Sequence, residues 1–133
     1  MIILWLKLKD SLFFMRNKDV VADLHLHSVA SDGECSPEQV VDMVAAAGFS
    51  AMALTDHDTV AGLERARARG LERGIEVFAG CELTAYEGEI ELHILTLLVD
   101  VARESPFVVF LEKLQEARRA RAREIVAKLC AAD

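Results

Sequence analysis

Positive charge is what this chain is short of: 15 Lys and Arg stand against 22 Asp and Glu, a net charge of −7. That balance excludes an extended electrostatic grip on nucleic-acid phosphates unless bound cations supply the missing charge, so any phosphate partner has to be met locally. Cysteine is scarce and odd in number. Cys35, Cys81 and Cys130 are too widely spaced for a disulfide framework or a zinc ribbon, and they point to a reducing cytoplasm. No apolar run approaches the roughly 20 residues of a membrane span. The opening stretch, MIILWLKLKDSLFF, has the look of an export leader, but Lys7, Lys9 and Asp10 interrupt it where a signal peptide needs an uncharged core. Residues 1–14 are therefore expected to be an extension read in frame upstream of a start at Met15. No repeat, low-complexity segment or Gly-rich linker divides the rest, and a composition 53% apolar and 28% charged is that of one soluble globular domain.

What is present reads as alternating strands and helices. VVADLHL at 20–26 is a buried strand running into a polar loop, SVASDGECS. A helix follows, with Ser36 as its cap, Pro37 in first position, Gln39 completing a capping box and Gly48 as its left-handed end. SAMALT at 50–55 is a second strand, Asp58 or Thr59 caps a second helix ending at Arg73 and Gly74, and IEVFA at 75–79 is a third strand. This order predicts an α/β fold of parallel strands joined by crossovers, with functional residues at the strands' C-terminal ends. CELTAYEGEIELHILTLLVD then forms a candidate hairpin turning at Glu87-Gly88. A last helix starts at Ser105-Pro106, with an apolar stripe of Phe107, Phe110, Leu111, Leu114, Ile125 and Leu129.

The chain has four histidines, and each falls at a strand end or in the hairpin. His25 and His27 are two apart on one strand, so they leave the same face, as two ligands of one metal must. Asp23 shares that face and is positioned to hold an imidazole. A lone His-x-His pair is also what ordinary surface or core histidines look like. His57, in TDHD after the second strand, and Asp32, in the loop after the first, add two candidates at the same sheet edge. With a Glu87-Gly88 turn, Glu82 stands directly opposite His93, within the Cβ separation of about 4.5–5.5 Å typical of cross-strand neighbours. A polar contact on a solvated sheet face is the plainer explanation of such a pair, and it weakens as the candidates accumulate. Mixed imidazole and carboxylate donors suit Mn, Fe or Zn. Several divalent ions held close together suit hydrolysis: they can carry a hydroxide nucleophile, bind phosphoryl oxygens and stabilise the leaving oxygen without any Ser or Cys nucleophile.

DLHLHS at 23–28, SDG at 31–33, LTDHDT at 54–59, GCEL at 80–83 and ELHIL at 91–95 together resemble, in order and spacing, the PHP (polymerase and histidinol phosphatase) phosphoesterases. The resemblance covers about residues 18–130, and its closest wording is that of the stand-alone nucleotide and RNA branch. It implies metal ligands at His25, His27, Asp32, His57, Glu82 and His93, with Glu82 bridging two ions and Asp32, His57 and Glu82 at the catalytic centre. It implies a distorted (β/α)₇ barrel, of which residues 15–133 are the N-terminal part, and up to three ions, usually manganese, with iron or zinc as alternatives. The implied reaction is hydrolysis of phosphate esters of nucleotides or RNA 5′ ends by a metal-bridging hydroxide. The partners are then a nucleotide or short RNA, with no membrane and no extended nucleic-acid surface. The family's later His-Pro and Asp-x-His segments have no counterpart before Asp133, so the last parallel strand is expected to have an unpaired edge. Two other readings stay open: a non-catalytic metal-binding PHP module, and a PHP phosphatase acting on histidinol phosphate or phosphotyrosine.

Other charged residues read more plainly. Asp56 and Asp58 are candidates for supporting the ligands, Asp58 equally for a helix cap. Arg119 and Arg123 are candidates for receiving substrate phosphate, although the default for an Arg-rich helix face (118, 119, 121, 123) is solvated pairing with Glu112, Glu116 and Glu124. Arg65, Arg67, Arg69 and Arg73 read as plain surface, and Cys81 as a buried structural thiol.

Overall fold

A computed structural model describes residues 21–131 of the chain, so the extension expected at residues 1–14 lies outside the described residues. The chain divides into two compact units, one up to Val99 and one from Asp100 onward.

The first unit has the expected α/β order: β1 (Ala22–Leu26), α1 (Pro37–Ala46), β2 (Ala51–Leu54), α2 (Leu63–Arg73), β3 (Glu76–Glu87) and β4 (Ile90–Leu97). The sheet runs β1-β2-β3-β4, with β1, β2 and the start of β3 parallel and β4 antiparallel to β3. β2 is central and all four of its residues are buried, as in a parallel strand covered on both faces. The core around it is aliphatic: Val40, Val41 and Val44 from α1, Met52 and Leu54 from β2, and Leu63 and Ala66 from α2. The ends of α1 are as the sequence reads. Ser36 Oγ accepts from the Gln39 N–H, Gln39 reaches back to the Ser36 N–H at 2.8 Å, and Gly48 follows in the left-handed region.

Three expectations for this unit are corrected. β3 does not stop at residue 79 but runs to Glu87, pairing with β2 over Glu76–Ala79 and with β4 over Gly80–Glu87. One backbone thus serves both as the third parallel strand and as the first arm of the hairpin; β4 pairs only with its Gly80–Glu87 part and does not extend along the Glu76–Ala79 edge expected to be left open. The hairpin turns at Gly88-Glu89, not Glu87-Gly88, because the first central position carries a positive φ (63° at Gly88) that glycine adopts freely. Finally, neither Asp58 nor Thr59 caps α2. Gly62 stands at that position without a side-chain cap, while Thr59 Oγ1 accepts from the Ala61 N–H in the preceding turn.

Of the four α2 arginines read as plain surface, Arg67 is exposed as expected, but Arg65, Arg69 and Arg73 are a further correction, because they are not idle surface charge. Arg65 binds Glu38 through two bonds of 2.7 and 2.8 Å, Arg69 binds Asp42 through two bonds of 2.9 Å, and Arg73 adds one of 2.6 Å to Asp42. These bidentate pairs lash α2 to α1. The hydrogen bonds from Arg69 and Arg73 hold the Asp42 carboxyl down from an ordinary 3.8 to about 2. A depressed folded-state pKa stabilises the fold above the unfolded value and ceases to do so as pH falls through the folded one. The melting temperature of Asp42→Asn should therefore lie below that of the unaltered chain at neutral pH. The gap should close between about pH 3.8 and pH 2, as thermal melts across that range would record.

The second unit holds α3 (Pro106–Cys130). Ser105 caps it, its Oγ accepting from the Val108 N–H at 3.2 Å, and Pro106 takes the first turn, as expected. Among the described residues no helix is long and apolar enough to cross a membrane.

Candidate metal centre

β1 brings His25 and His27 to the sheet's C-terminal edge by an irregular route. Between Asp23 and Leu26 it carries one residue more than β2 does between Met52 and Leu54, a bulge at Leu24-His25 of the kind that re-aims side chains beside functional sites. Thr55, fully buried, holds the strands together past it: its Oγ1 accepts from the Leu26 N–H and donates to the Leu26 carbonyl, both at 3.1 Å. Directly after Thr55, the loop Asp56-His57-Asp58 swings against β3. The Asp58 N–H donates to the Glu82 carbonyl at 3.0 Å, and Asp58 Oδ1 accepts from the Thr84 N–H at 2.8 Å. Asp58, in the left-handed region at φ 52°, thus fastens the His57 loop to the strand that carries Glu82.

Glu82 is the hub. Its Oε2 lies 2.7 Å from His25 Nε2, 2.9 Å from His27 Nε2 and 3.8 Å from His57 Nε2, while its Oε1 lies 3.1 Å from His93 Nδ1. Asp32 forms a second focus, with Oδ1 at 2.7 Å from His27 Nδ1 and Oδ2 at 3.5 Å from His57 Nε2. All six residues singled out from the sequence therefore meet. The hairpin register is shifted by two from the expected one: His93 pairs with Thr84 and Glu82 with Leu95. A shift of two keeps His93 on the face of Glu82, and the two make contact as diagonal neighbours. Asp23 does not hold an imidazole; its Oδ1 accepts from the backbone N–H of His25 at 3.2 Å.

The electrostatics keep the carboxylates charged. Burial pushes the Glu82 carboxyl up, but the hydrogen bond with His25 and the charges of His25, His57 and His27 outweigh it, leaving the group below its ordinary value. The hydrogen bond with His27 is the main reason that Asp32 is also lowered. His93 is raised, chiefly by a hydrogen bond of 3.1 Å between its Nε2 and Glu91. Donor atoms gather in three overlapping sets, His25–His27–Glu82, His27–Asp32–His57 and His57–Glu82–His93, each within 4.8 Å. Imidazole nitrogens and ionised carboxylate oxygens brought this close from four separate segments fit divalent metal ions.

Sequence reasoning missed several supporting residues. Glu91 lies two positions before His93 on β4, and strand periodicity alone would have put it on the same face. Thr55 and Ser28 gave no such signal. Asp56, considered as a support for the imidazoles, instead accepts hydrogen bonds from Ser28 and Ser31. Cys81 is fully buried, as expected, and burial pushes its thiol up to about 12. Arg119 and Arg123 lie on α3 in the second unit, where Arg119 donates to Gln115 Oε1 at 3.1 Å.

A sequence model described as the PHP domain matches residues 23–125. A 3′,5′-nucleoside bisphosphate phosphatase from Chromobacterium violaceum is 41% identical over 110 residues, 83% of this chain and 38% of that protein. A 5′-3′ exoribonuclease from Haemophilus influenzae is 43% identical over 109 residues, 80% of this chain and 39% of that protein. A crystal structure from Bifidobacterium adolescentis, of a protein assigned as a metal-dependent phosphoesterase, aligns with a TM-score of 0.73 at 30% identity, over 81% of this chain and 37% of that one. The chain thus spans well under half the length of these relatives.

Proposed function

Since the chain belongs to the PHP domain family, we propose that it serves the metal-dependent hydrolysis of phosphate esters, with nucleotides or RNA 5′ ends as substrates. The observation that carries this reading is the convergence of four histidines on the buried Glu82 carboxylate, with Asp32 beside them. In this reading His25, His27, Asp32, His57, Glu82 and His93 hold the ions, Glu82 is shared between two of them, and manganese is the resident metal. Divalent ions held there would offset the charge on phosphoryl oxygens and lower the pKa of a water molecule. The residues' own part is to present donors that are already ionised: Glu82 and Asp32 both sit below the ordinary carboxylate pKa, so neither needs to lose a proton at neutral pH. A thiol nucleophile is not part of the proposal, because burial keeps Cys81 protonated far above neutrality.

The relatives named as a nucleoside bisphosphate phosphatase and an exoribonuclease support the substrate class. Arg119 and Arg123 on α3 are assigned to substrate phosphate in the same reading. Residues 15–133 form the N-terminal part of the PHP domain, and the free thiols of Cys35, Cys81 and Cys130 suit a cytoplasmic setting. The test is hydrolysis of an aryl phosphate with added manganese by a full-length version that carries the rest of the PHP domain, run beside thermal melts with and without the metal. Hydrolysis together with a metal-dependent rise in melting temperature is expected, and His57→Ala should lower both by an order of magnitude or more in rate and affinity. Metal-dependent melting without turnover would make the chain a binding module, and no response to metal would end the proposal.

A further inference from the structure

Asp32 is the odd member of the donor set. It comes from a turn rather than a strand, and its side chain is 64% exposed, so little packing restrains it. Its contacts with His27 and His57 are contacts between donors, and a bound ion would take over those atoms. Apart from a hydrogen bond of 3.2 Å to its Oδ1 from the neighbouring Ser31 hydroxyl, whatever holds Asp32 in place has to act through the backbone of the loop that bears it.

That loop is folded on Ser28: the Ser31 and Gly33 N–H groups both donate to the Ser28 carbonyl, at 3.1 and 2.9 Å, and the Val29 N–H donates to the Cys35 carbonyl at 2.9 Å. The turn is so tight that a Cβ on Gly33 would come within 2.6 Å of the His27 carbonyl oxygen, a reason for the glycine beside Asp32. Below it lies Asp56, only 1% exposed. A carboxylate this buried must be satisfied by hydrogen bonds, and three come from the loop. Asp56 Oδ1 accepts from the Ser28 N–H and the Ser31 hydroxyl, each at 2.7 Å, and Oδ2 accepts from the Ser28 hydroxyl at 2.8 Å. Ser28 adjoins His27, Ser31 adjoins Asp32, and Asp56 itself adjoins His57. One buried side chain therefore ties together the backbone beside all three members of the His27–Asp32–His57 set, whereas Glu82 and His93 are held by β3 and β4.

We propose that Asp56 is a positioning residue that sets where Asp32 stands against His27 and His57, so that the ion taken by these three depends on Asp56 while the ion taken by His25, His27 and Glu82 does not. This rests on the metal-binding reading above and deepens it.

The experiment is manganese binding by equilibrium dialysis to the full chain and to Asp32→Ala, Asp56→Ala, their double variant, Asp56→Asn and Ser28→Ala. Asp56→Ala should weaken about 10- to 100-fold the same ion that Asp32→Ala loses, as for other residues that orient a ligand. The double variant should lose no more than Asp32→Ala alone, because two residues acting through one ligand are not additive. Asp56→Asn keeps an oxygen for the Ser28 N–H and the Ser31 hydroxyl and should recover part of the loss. In the metal-free chain, the Ser31 and Gly33 amides should exchange hydrogen faster in Asp56→Ala. A general structural role would instead weaken all ions together and add to Asp32→Ala. That additive result, or unchanged binding in a folded Asp56→Ala, overturns the inference. Should Asp56→Ala not fold, Ser28→Ala decides, since the Ser28 hydroxyl donates to Asp56 Oδ2 at 2.8 Å and not to Asp32: weakening confined to the Asp32 ion supports the proposal, and unchanged binding overturns it. No manganese bound by the unaltered chain would overturn the metal-binding reading as well, which separates the two failures.

Discussion

Replacing Glu82 by alanine is expected to remove the ions of the two donor sets it belongs to, leaving only the one taken by His27, Asp32 and His57. Both carboxylate oxygens are engaged, Oε2 with His25 and His27 at 2.7 and 2.9 Å and Oε1 with His93 at 3.1 Å, and Glu82 belongs to two of the three donor sets. Without it those two sets are left with imidazoles alone, which lack the negative charge that offsets a dication. A residue that only orients a ligand costs about 10- to 100-fold in metal affinity, so loss of the shared ligand should exceed about 100-fold. Manganese titration followed by calorimetry measures the affinity directly. The rise in melting temperature that manganese gives the unaltered chain should shrink in Glu82→Ala, since ions that no longer bind the native state cannot stabilise it. A rise of unchanged size would show that the ions sit elsewhere.

The donor set was legible because strand periodicity is robust to the errors that sequence reading makes. The turn was placed one residue early, at Glu87-Gly88 instead of Gly88-Glu89, and each cross-strand pair moved by two positions. A displacement of two returns every side chain to its original face, so His93 still meets Glu82, diagonally rather than squarely; a displacement of one would have turned it away. The capping box at Ser36–Gln39 and the Ser105-Pro106 helix start were legible for a similar reason, since each depends only on residues within one turn.

What escaped the sequence depends on distant partners. Arg69 is 27 residues from Asp42, and nothing local separates an arginine lashed to another helix from one in solvent. Asp58 has the composition of a helix cap, yet its N–H and carboxylate are both taken by β3, so the helix begins later, at Gly62. The bulge at Leu24-His25 is likewise a relation between β1 and β2. In each case a local preference yields to a long-range relation, and two of the three, at Asp58 and in β1, lie at the candidate metal centre, where departures from local rules are expected to collect.

The second large effect expected is on stability rather than binding, and it separates the platform from the site. Met52 is wholly buried on the central strand β2, between Asp23 of β1 and Val77 of β3 in the sheet register. Met52→Ala leaves a cavity in a close-packed interior, a change that costs about 2–5 kcal/mol. All four residues of β2 are buried, and total stabilities of about 5–15 kcal/mol make the loss a large fraction. The melting temperature should fall by on the order of 10 °C or more. Yet Met52 touches none of the carboxylates or imidazoles through a hydrogen bond, and Thr55 to Asp58 remain fastened to β1 and β3 by their own bonds. Manganese should therefore still raise the melting temperature of Met52→Ala by as much as that of the unaltered chain, as it should not for Glu82→Ala. A Met52→Ala chain that melts early and no longer responds to the metal would mean that the donors are held by core packing itself, and not by the hydrogen bonds that join the His57 loop to the strands on either side.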